Sequence, residues 1–329
     1  MNWEKIGDFL LSFKKKSIYL GMFILVSIPL IMKMSTRTYI TEEVESIYDK
    51  VEEVYEYNQE NPNDKQAIFV SIDFAPSSKA ETSPMLNALL RHAFMRDIPV
   101  LGWAGVRTAA DYGIERLNSV AKEYGKKYGE DYIYLGIAYP FLQAVLSLNS
   151  DVRIFSSTDY YGTDTYEIPI MKQFHSYNNI GLLVSISSTS LSELYIQYSN
   201  TLFDQDVAAG VTAVNAARLY PYLQSDQLVG MMGGLKGAAE YEQLVNKLEK
   251  KVIGEDVKNY LREFYKKKDP SEYEKKYYEP KFTETQLINK MNSRKLARMG
   301  MSSQAVAHFY VIILIIIANV GYFIKRKYE

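Results

Sequence analysis

The 329-residue chain contains no cysteine. That excludes disulfide staples, thiolate nucleophiles and cysteine-based zinc sites. Histidine is nearly as scarce: His92, His175 and His308 are the only three, too few for a histidine-rich metal centre. An excess of one charge is also missing. The 38 basic and 39 acidic residues leave a net charge of −1, which argues against a nucleic-acid footprint. The chain has no GxSxG elbow, no GxxxxGK[ST] phosphate loop and no GxGxxG fingerprint. No metal and no cofactor is therefore expected, and the balance leans away from an enzyme. What is abundant is tyrosine, with 28 residues, an amphipathic side chain suited to surfaces near membranes or partners.

Two uncharged apolar runs lie near the ends. Ser17 to Met32 reads SIYLGMFILVSIPLIM, and Val306 to Ile324 reads VAHFYVIILIIIANVGYFI. A bilayer core about 30 Å thick takes about 20 helical residues to cross. The second run meets that length. The first does so once Lys33 snorkels and Met34 is added. No small-x-small cleavage site follows in LIMKMSTR, so the first run reads as an uncleaved signal anchor. Lys14, Lys15 and Lys16 precede it, and Lys325, Arg326 and Lys327 follow the second run. Against these stand Lys33 and Arg37, and Lys290, Arg294, Lys295 and Arg298. The tight triplets set the expectation: both termini cytoplasmic, a two-pass cell-membrane protein, and an extracytoplasmic domain between the helices.

The segments follow from this frame. Residues 1–16 form an interfacial segment, with Trp3, Ile6, Phe9, Leu10 and Phe13 at helical spacing. Residues 17–34 are the first transmembrane helix. Residues 35–64 read as an acidic helical stalk, with Val44, Ile47, Val51 and Val54 repeating at three and four. Residues 65–250 are the main domain, and 251–305 a charged helical arm and connector. Residues 306–324 are the second transmembrane helix, and 325–329 a basic tail.

Within the domain, short β-rich runs alternate with helical patterns. Strands are expected at Ile68–Phe74, Pro99–Trp103, Tyr132–Ile137, Ile180–Ile186, Val207–Val214 and Leu228–Met232. Helices fall between them, the first capped by Ser83 with Pro84 at its first position. The stretch 149–179 breaks the alternation and reads as an insertion. Continuous apolar strands separated by helices predict an α/β domain: a Rossmann-like parallel sheet with helices on both faces.

Ligands of such sheets bind beyond the carboxyl ends of the strands. Asp73, Ser77 and Ser78 follow the first strand, and Arg107 follows the second. Ser188 and Thr189 follow the fourth, Thr212 and Asn215 the fifth, and Gly233, Gly234 and Lys236 the sixth. Such a rim suits a small polar or anionic ligand, although Ser, Thr, Gly and Asp are also the ordinary helix-capping residues of these turns. GGLKG departs from every phosphate-loop spacing and reads as a tight turn with close helix packing. Asp73 with Ser77 and Ser78 loosely resembles a metal-ion-dependent adhesion loop, but the spacing differs. Asp159, Asp164 and Glu167 lack the ligand spacing of a calcium loop and read as solvated carboxylates. His92 reads as a packing or surface residue, leaving His175 as the one candidate base. Inside the second membrane helix, His308 sits near an interface, and Asn319 is placed to bond across to the first helix or to another subunit.

The stretches VSIDFAPSSKAETSPMLNALLRHAFMRDIPV and LYPYLQSDQLVGMMGGLKGAAEYEQLV resemble an uncharacterised family of prokaryotic two-helix membrane-anchored α/β proteins. The resemblance implies the architecture and carries no reaction and no site residues. The expected function is a membrane-anchored binding or scaffold component of a membrane assembly. Its partner is another membrane protein or a second copy of the chain, with a small anionic ligand as a further candidate and no nucleic acid. The alternative is a membrane-bound hydrolase or transferase acting on an anionic or glycosylated substrate at the strand tips.

Overall fold

Six short, mostly buried apolar strands pair side by side with every neighbour parallel. They are β1 (Ala67–Asp73), β2 (Val100–Ala104), β3 (Tyr132–Ile137), β4 (Ile180–Ser187), β5 (Val207–Val211) and β6 (Gly230–Gly233). Near-continuous apolar strands are what a sheet covered on both faces requires. The structure is a computed structural model and describes residues 8–35, 37–266 and 295–328. The chain forms two compact units, one of Thr38–Ala297 and one of Met1–Arg37 with Arg298–Glu329.

The strand order is β3-β2-β1-β4-β5-β6, the order of doubly wound nucleotide-binding folds. The direction of winding reverses between β1 and β4. The crossover helices are α3 (Lys79–Met95), α4 (Ala110–Glu123) and α9 (Ala213–Gln224). The long β3–β4 connection carries α5 (Phe141–Ser147) and α6 (Val152–Phe155). The β4–β5 crossover is broken into α7 (Leu191–Leu194), a π-helical turn at Tyr195–Asn200, and α8 (Thr201–Phe203).

The expected stalk is not a stalk. Residues 42–60 form α2 (Glu42–Glu60), whose Val44, Ile47, Val51 and Val54 are at most 2% exposed. The helix lies against β4, β6 and α10 (Gly234–Lys266). Burying four such side chains is worth roughly 1.5–3 kcal/mol each. Asn58 locks its end: the side-chain amide donates to the Gln66 carbonyl at 2.8 Å, and Oδ1 accepts the Gln66 N–H at 2.7 Å.

The last helix of the domain, α10, runs on into the expected arm as far as Lys266. Ala238, Ala239, Tyr241, Val245 and Leu248 of α10 are buried, and the helix packs along α3. Residues 267–294 of the arm and connector lie outside the described residues. At the start of α3, Pro84 sits inside the helix instead of at its first position. Pro76 opens the preceding 3-10 turn, so the helix starts earlier than Ser83 suggests. β5 ends at Val211 because Thr212 already turns the chain into α9.

In the smaller unit, α1 (Lys15–Ile31) runs antiparallel to α11 (Leu296–Tyr328). The Tyr310 hydroxyl donates to the Ile18 carbonyl at 3.2 Å, Gly21 lies against Tyr310, and Gly321 lies against Leu10 and Leu11. Among the described residues, one helix, Leu296–Lys327, is long and apolar enough to cross a membrane. α1, at 17 residues, is shorter. Trp3 and Ile6 of the interfacial segment lie outside the described residues.

Candidate functional site at the carboxyl edge of the sheet

β1 and β4 pair in register where the sheet reverses: Ser71 with Ser185 and Asp73 with Ser187. All four side chains point to one face, and all are fully buried. Ser71 donates to Asp73 Oδ2 at 2.6 Å, and the Gly105 N–H donates to Oδ1 at 2.5 Å. The Trp103 indole N–H is shared between Ser71 Oγ at 3.1 Å and the Tyr195 hydroxyl at 2.6 Å. Ser185 and Ser192 hydroxyls meet at 2.9 Å. Burial pushes the Asp73 carboxyl up to about 7, against the lowering effect of its two donors. Burial likewise drives the Tyr195 hydroxyl well above its ordinary value.

This polar cluster is sealed. A Cβ on Gly105 would come within 2.5 Å of Phe141, 2.7 Å of Asp73 Oδ1 and 2.7 Å of Leu191. Only a residue without a side chain lets the β2–α4 turn reach the carboxyl. Both carboxyl oxygens are taken by protein donors, so Asp73 does not stand open to a cation as an adhesion-type loop would require. Ser77 is exposed in a 3-10 turn, and Ser78 uses its carbonyl to accept from Thr82 Oγ1 at 2.9 Å.

Across the reversal, the two loops are laced together. The Ser188 N–H donates to the Asp73 carbonyl at 3.1 Å, and the Ala75 N–H donates to Ser188 Oγ at 3.2 Å. Thr189 Oγ1 accepts from the Leu191 N–H at 3.2 Å at the start of α7. These are helix-capping and loop-closing bonds of the kind hydroxyl residues make at such turns.

The remaining rim residues scatter. Arg107 is exposed on the turn before α4. Thr212 and Asn215 open α9, but the Ala213 N–H there is capped by Glu81 Oε2 at 2.9 Å. Gly233 ends β6, and Gly234 starts α10 with φ +58°, a left-handed conformation that glycine adopts freely. Gly237 packs on the Met232 backbone, so GGLKG is a tight turn with close helix packing. Lys236 pairs with buried Glu240, whose other oxygen accepts the Thr41 N–H at 2.8 Å and the Thr41 hydroxyl at 2.7 Å. That carboxylate caps α2, and Lys236 neutralises it.

An open cleft of about 400 Å³ lies beyond β3. Leu135, Gly136 and Ile137 form its floor, Ala110 and Asp111 of α4 one wall, and residues 155–160 of the insertion the other, with Tyr139 beside them. Asp159 shapes that wall. It is buried, not solvated: Oδ1 accepts the N–H of Tyr161 at 3.0 Å and of Thr163 at 2.8 Å, and Oδ2 accepts the Tyr128 hydroxyl at 2.7 Å. The Tyr160 ring lies tilted against Tyr134 with centroids 5.8 Å apart, and its hydroxyl donates to Asp111 Oδ1 at 2.7 Å. Asp164 is exposed and accepts from the Tyr166 N–H at 2.9 Å, and Glu167 is exposed beside it.

The histidines lie elsewhere. His92 is buried between α2, α3 and α10. Its Nε2 donates to Glu52 Oε1 at 2.6 Å, and its Nδ1 accepts from the Tyr241 hydroxyl at 2.8 Å. Arg96 completes the group through Glu52, and Tyr48 stacks on the imidazole with ring centroids 4.5 Å apart. Burial lowers His92, while His92 and Arg96 hold Glu52 down at about 2 despite its own partial burial. His175 precedes β4, whereas Ser188 follows it. Eight residues rising about 3.3 Å each put them at opposite ends of the sheet, so no Ser-His pair forms there. In α11, His308 is exposed. Asn319 donates back to its own helix, to the Ile315 carbonyl at 2.9 Å, and among the described residues makes no bond to α1.

Reading strand tips misses Ser71, Ser185, Trp103 and Tyr195. The signal that would have found the serines is polar alternation inside apolar strands, VSID in β1 and VSIS in β4. No family model, curated protein or solved structure matches the chain.

Proposed function

We propose that this is a membrane-anchored binding component, whose α/β domain takes up a small polar ligand or a partner's polar surface at the carboxyl edge of its sheet. One observation carries the reading: the open cleft beyond β3 stands at the carboxyl edge of the sheet, and among the described residues no nucleophile–base pair lines it. The apolar helix Leu296–Lys327 supports the anchoring, and a second pass through α1 is part of the proposal. α1 and α11 pair antiparallel, and Phe23, Ile31, Phe309 and Ile316 expose apolar surface as lipid contact requires. The basic triplets at 14–16 and 325–327 support an orientation with both termini in the cytoplasm and the domain outside. Asn319, exposed on α11, is available to another membrane helix, either a different protein or a second copy.

The test is thermal unfolding of the full chain in mild detergent against a panel of small metabolites, alongside the cleft-blocking variant Ser157→Trp. A ligand of the cleft raises the midpoint of the parent and leaves the variant unmoved. Equal shifts in both, or none in the parent, would remove the reading. A second reading, hydrolase or transferase chemistry, draws on the Asp73 carboxyl held near neutrality. It requires turnover that disappears in Asp73→Ala while the protein stays folded.

A further inference from the structure

Resting on the binding reading above, we infer that the cleft beyond β3 is built for a neutral polyhydroxylated ligand, with a saccharide ring as its chemical class. The volume of about 400 Å³ lies at the small end of the range for small-molecule sites. Its lining contains no lysine or arginine. Asp111 presents a carboxylate oxygen to the space, and Asp159 adds a second acidic group within the wall, so phosphorylated or carboxylated ligands are disfavoured.

The polar groups that face the space both donate and accept. The side-chain hydroxyls of Ser156, Ser157 and Thr158 make no hydrogen bond among the described residues. Asp111 uses Oδ1 for the Tyr160 hydroxyl and leaves Oδ2 as a charged acceptor. A carboxylate acceptor beside several hydroxyls matches a ligand that presents several O–H groups. A ligand hydroxyl can donate to the carboxylate and also accept from the side-chain hydroxyls, whereas an ammonium group only donates. Tyr139 supplies the apolar half of the recognition. It is 82% exposed, so its ring face is free to stack on the C–H face of a sugar. This departs from the anionic ligand that the strand-tip residues suggest in the sequence.

The experiment is saturation-transfer NMR on the purified full chain in a detergent without a sugar headgroup. The probes are methyl hexopyranosides and N-acetylglucosamine oligomers, run beside putrescine and inorganic phosphate. Saturation of a saccharide probe is expected. Tyr139→Ala and Asp111→Asn should each weaken its binding about tenfold or more, and Lys122→Ala on the exposed face of α4 should not change it. Putrescine or phosphate binding that Ser157→Trp removes, with saccharides silent, would overturn the saccharide inference and leave the cleft as a binding site. Silence of all probes would overturn the inference. Saccharide binding unchanged by Tyr139→Ala and Asp111→Asn would place the site elsewhere and overturn it as well.

Discussion

Asp73 of β1 and Ser187 of β4 face each other in register at the carboxyl ends of the two central strands, and Ser187 Oγ donates to the Asp73 carbonyl at 3.2 Å. This pair marks the line where the sheet reverses. In an open α/β sheet that line is where a crevice forms. Here it is filled by the protein's own polar groups and covered by Phe141 and Leu191 around Gly105. The open space has moved two strands outward, to β3, where the insertion folds over the sheet edge.

Asp73 makes stability depend on pH in a defined direction. Its folded value of about 7 lies above the ordinary 3.8, so its favourable contribution is complete below about 3.8 and is lost as pH rises through 7. The full swing is up to about 4 kcal/mol. Asp73→Asn keeps a neutral side chain at every pH and should flatten this slope. Chemical denaturation at pH 5 and pH 8.5 checks it: the parent loses stability between the two and the variant does not.

Glu52 works in the opposite sense. Held at about 2 by His92 and Arg96, it contributes stability above about 4.5 that is lost as pH falls toward 2. The lowered His92 adds to this acid sensitivity as pH falls below about 6.5. Glu52→Gln should cost roughly 1–3 kcal/mol at neutral pH and reduce the loss on acidification, read from unfolding midpoints at pH 7 and pH 4.

Tyr134 carries a buried hydroxyl with no hydrogen-bond partner among the described residues, under Gly113. Removing an unsatisfied polar atom while keeping the ring is expected to be neutral or to stabilise by about 1 kcal/mol. Tyr134→Phe therefore should not lower the unfolding midpoint.

Gly105→Ala should do the reverse. Its methyl group meets Phe141, Leu191 and the Asp73 carboxyl at once, and overpacking of this kind costs roughly 1–3 kcal/mol. Loss of protection in α5 by hydrogen exchange would locate the damage.

Much of the fold is legible because its strands are apolar runs and its helices keep a 3.6-residue period. The β3 boundaries emerge from the sequence as they stand in the structure. The strand order is not legible, since composition says nothing of which parallel strand neighbours which. The stripe Val44, Ile47, Val51 and Val54 announces an amphipathic helix, but its partners β4, β6 and α10 lie more than a hundred residues away, so a free stalk was the local reading. The candidate site divides in the same way. Asp73 and Ser188 are visible at strand tips, while Tyr139 and the 155–160 wall sit in an irregular stretch with no period to follow.

The most direct test uses the absence of native cysteine. A single cysteine is placed at Lys122, exposed on α4, or at Lys327 in the basic tail, and intact cells are treated with a membrane-impermeant maleimide. A domain held outside by two passes predicts labelling of the first variant in intact cells and of the second only after lysis. Labelling of Lys122→Cys only after lysis would put the domain in the cytoplasm and contradict the account.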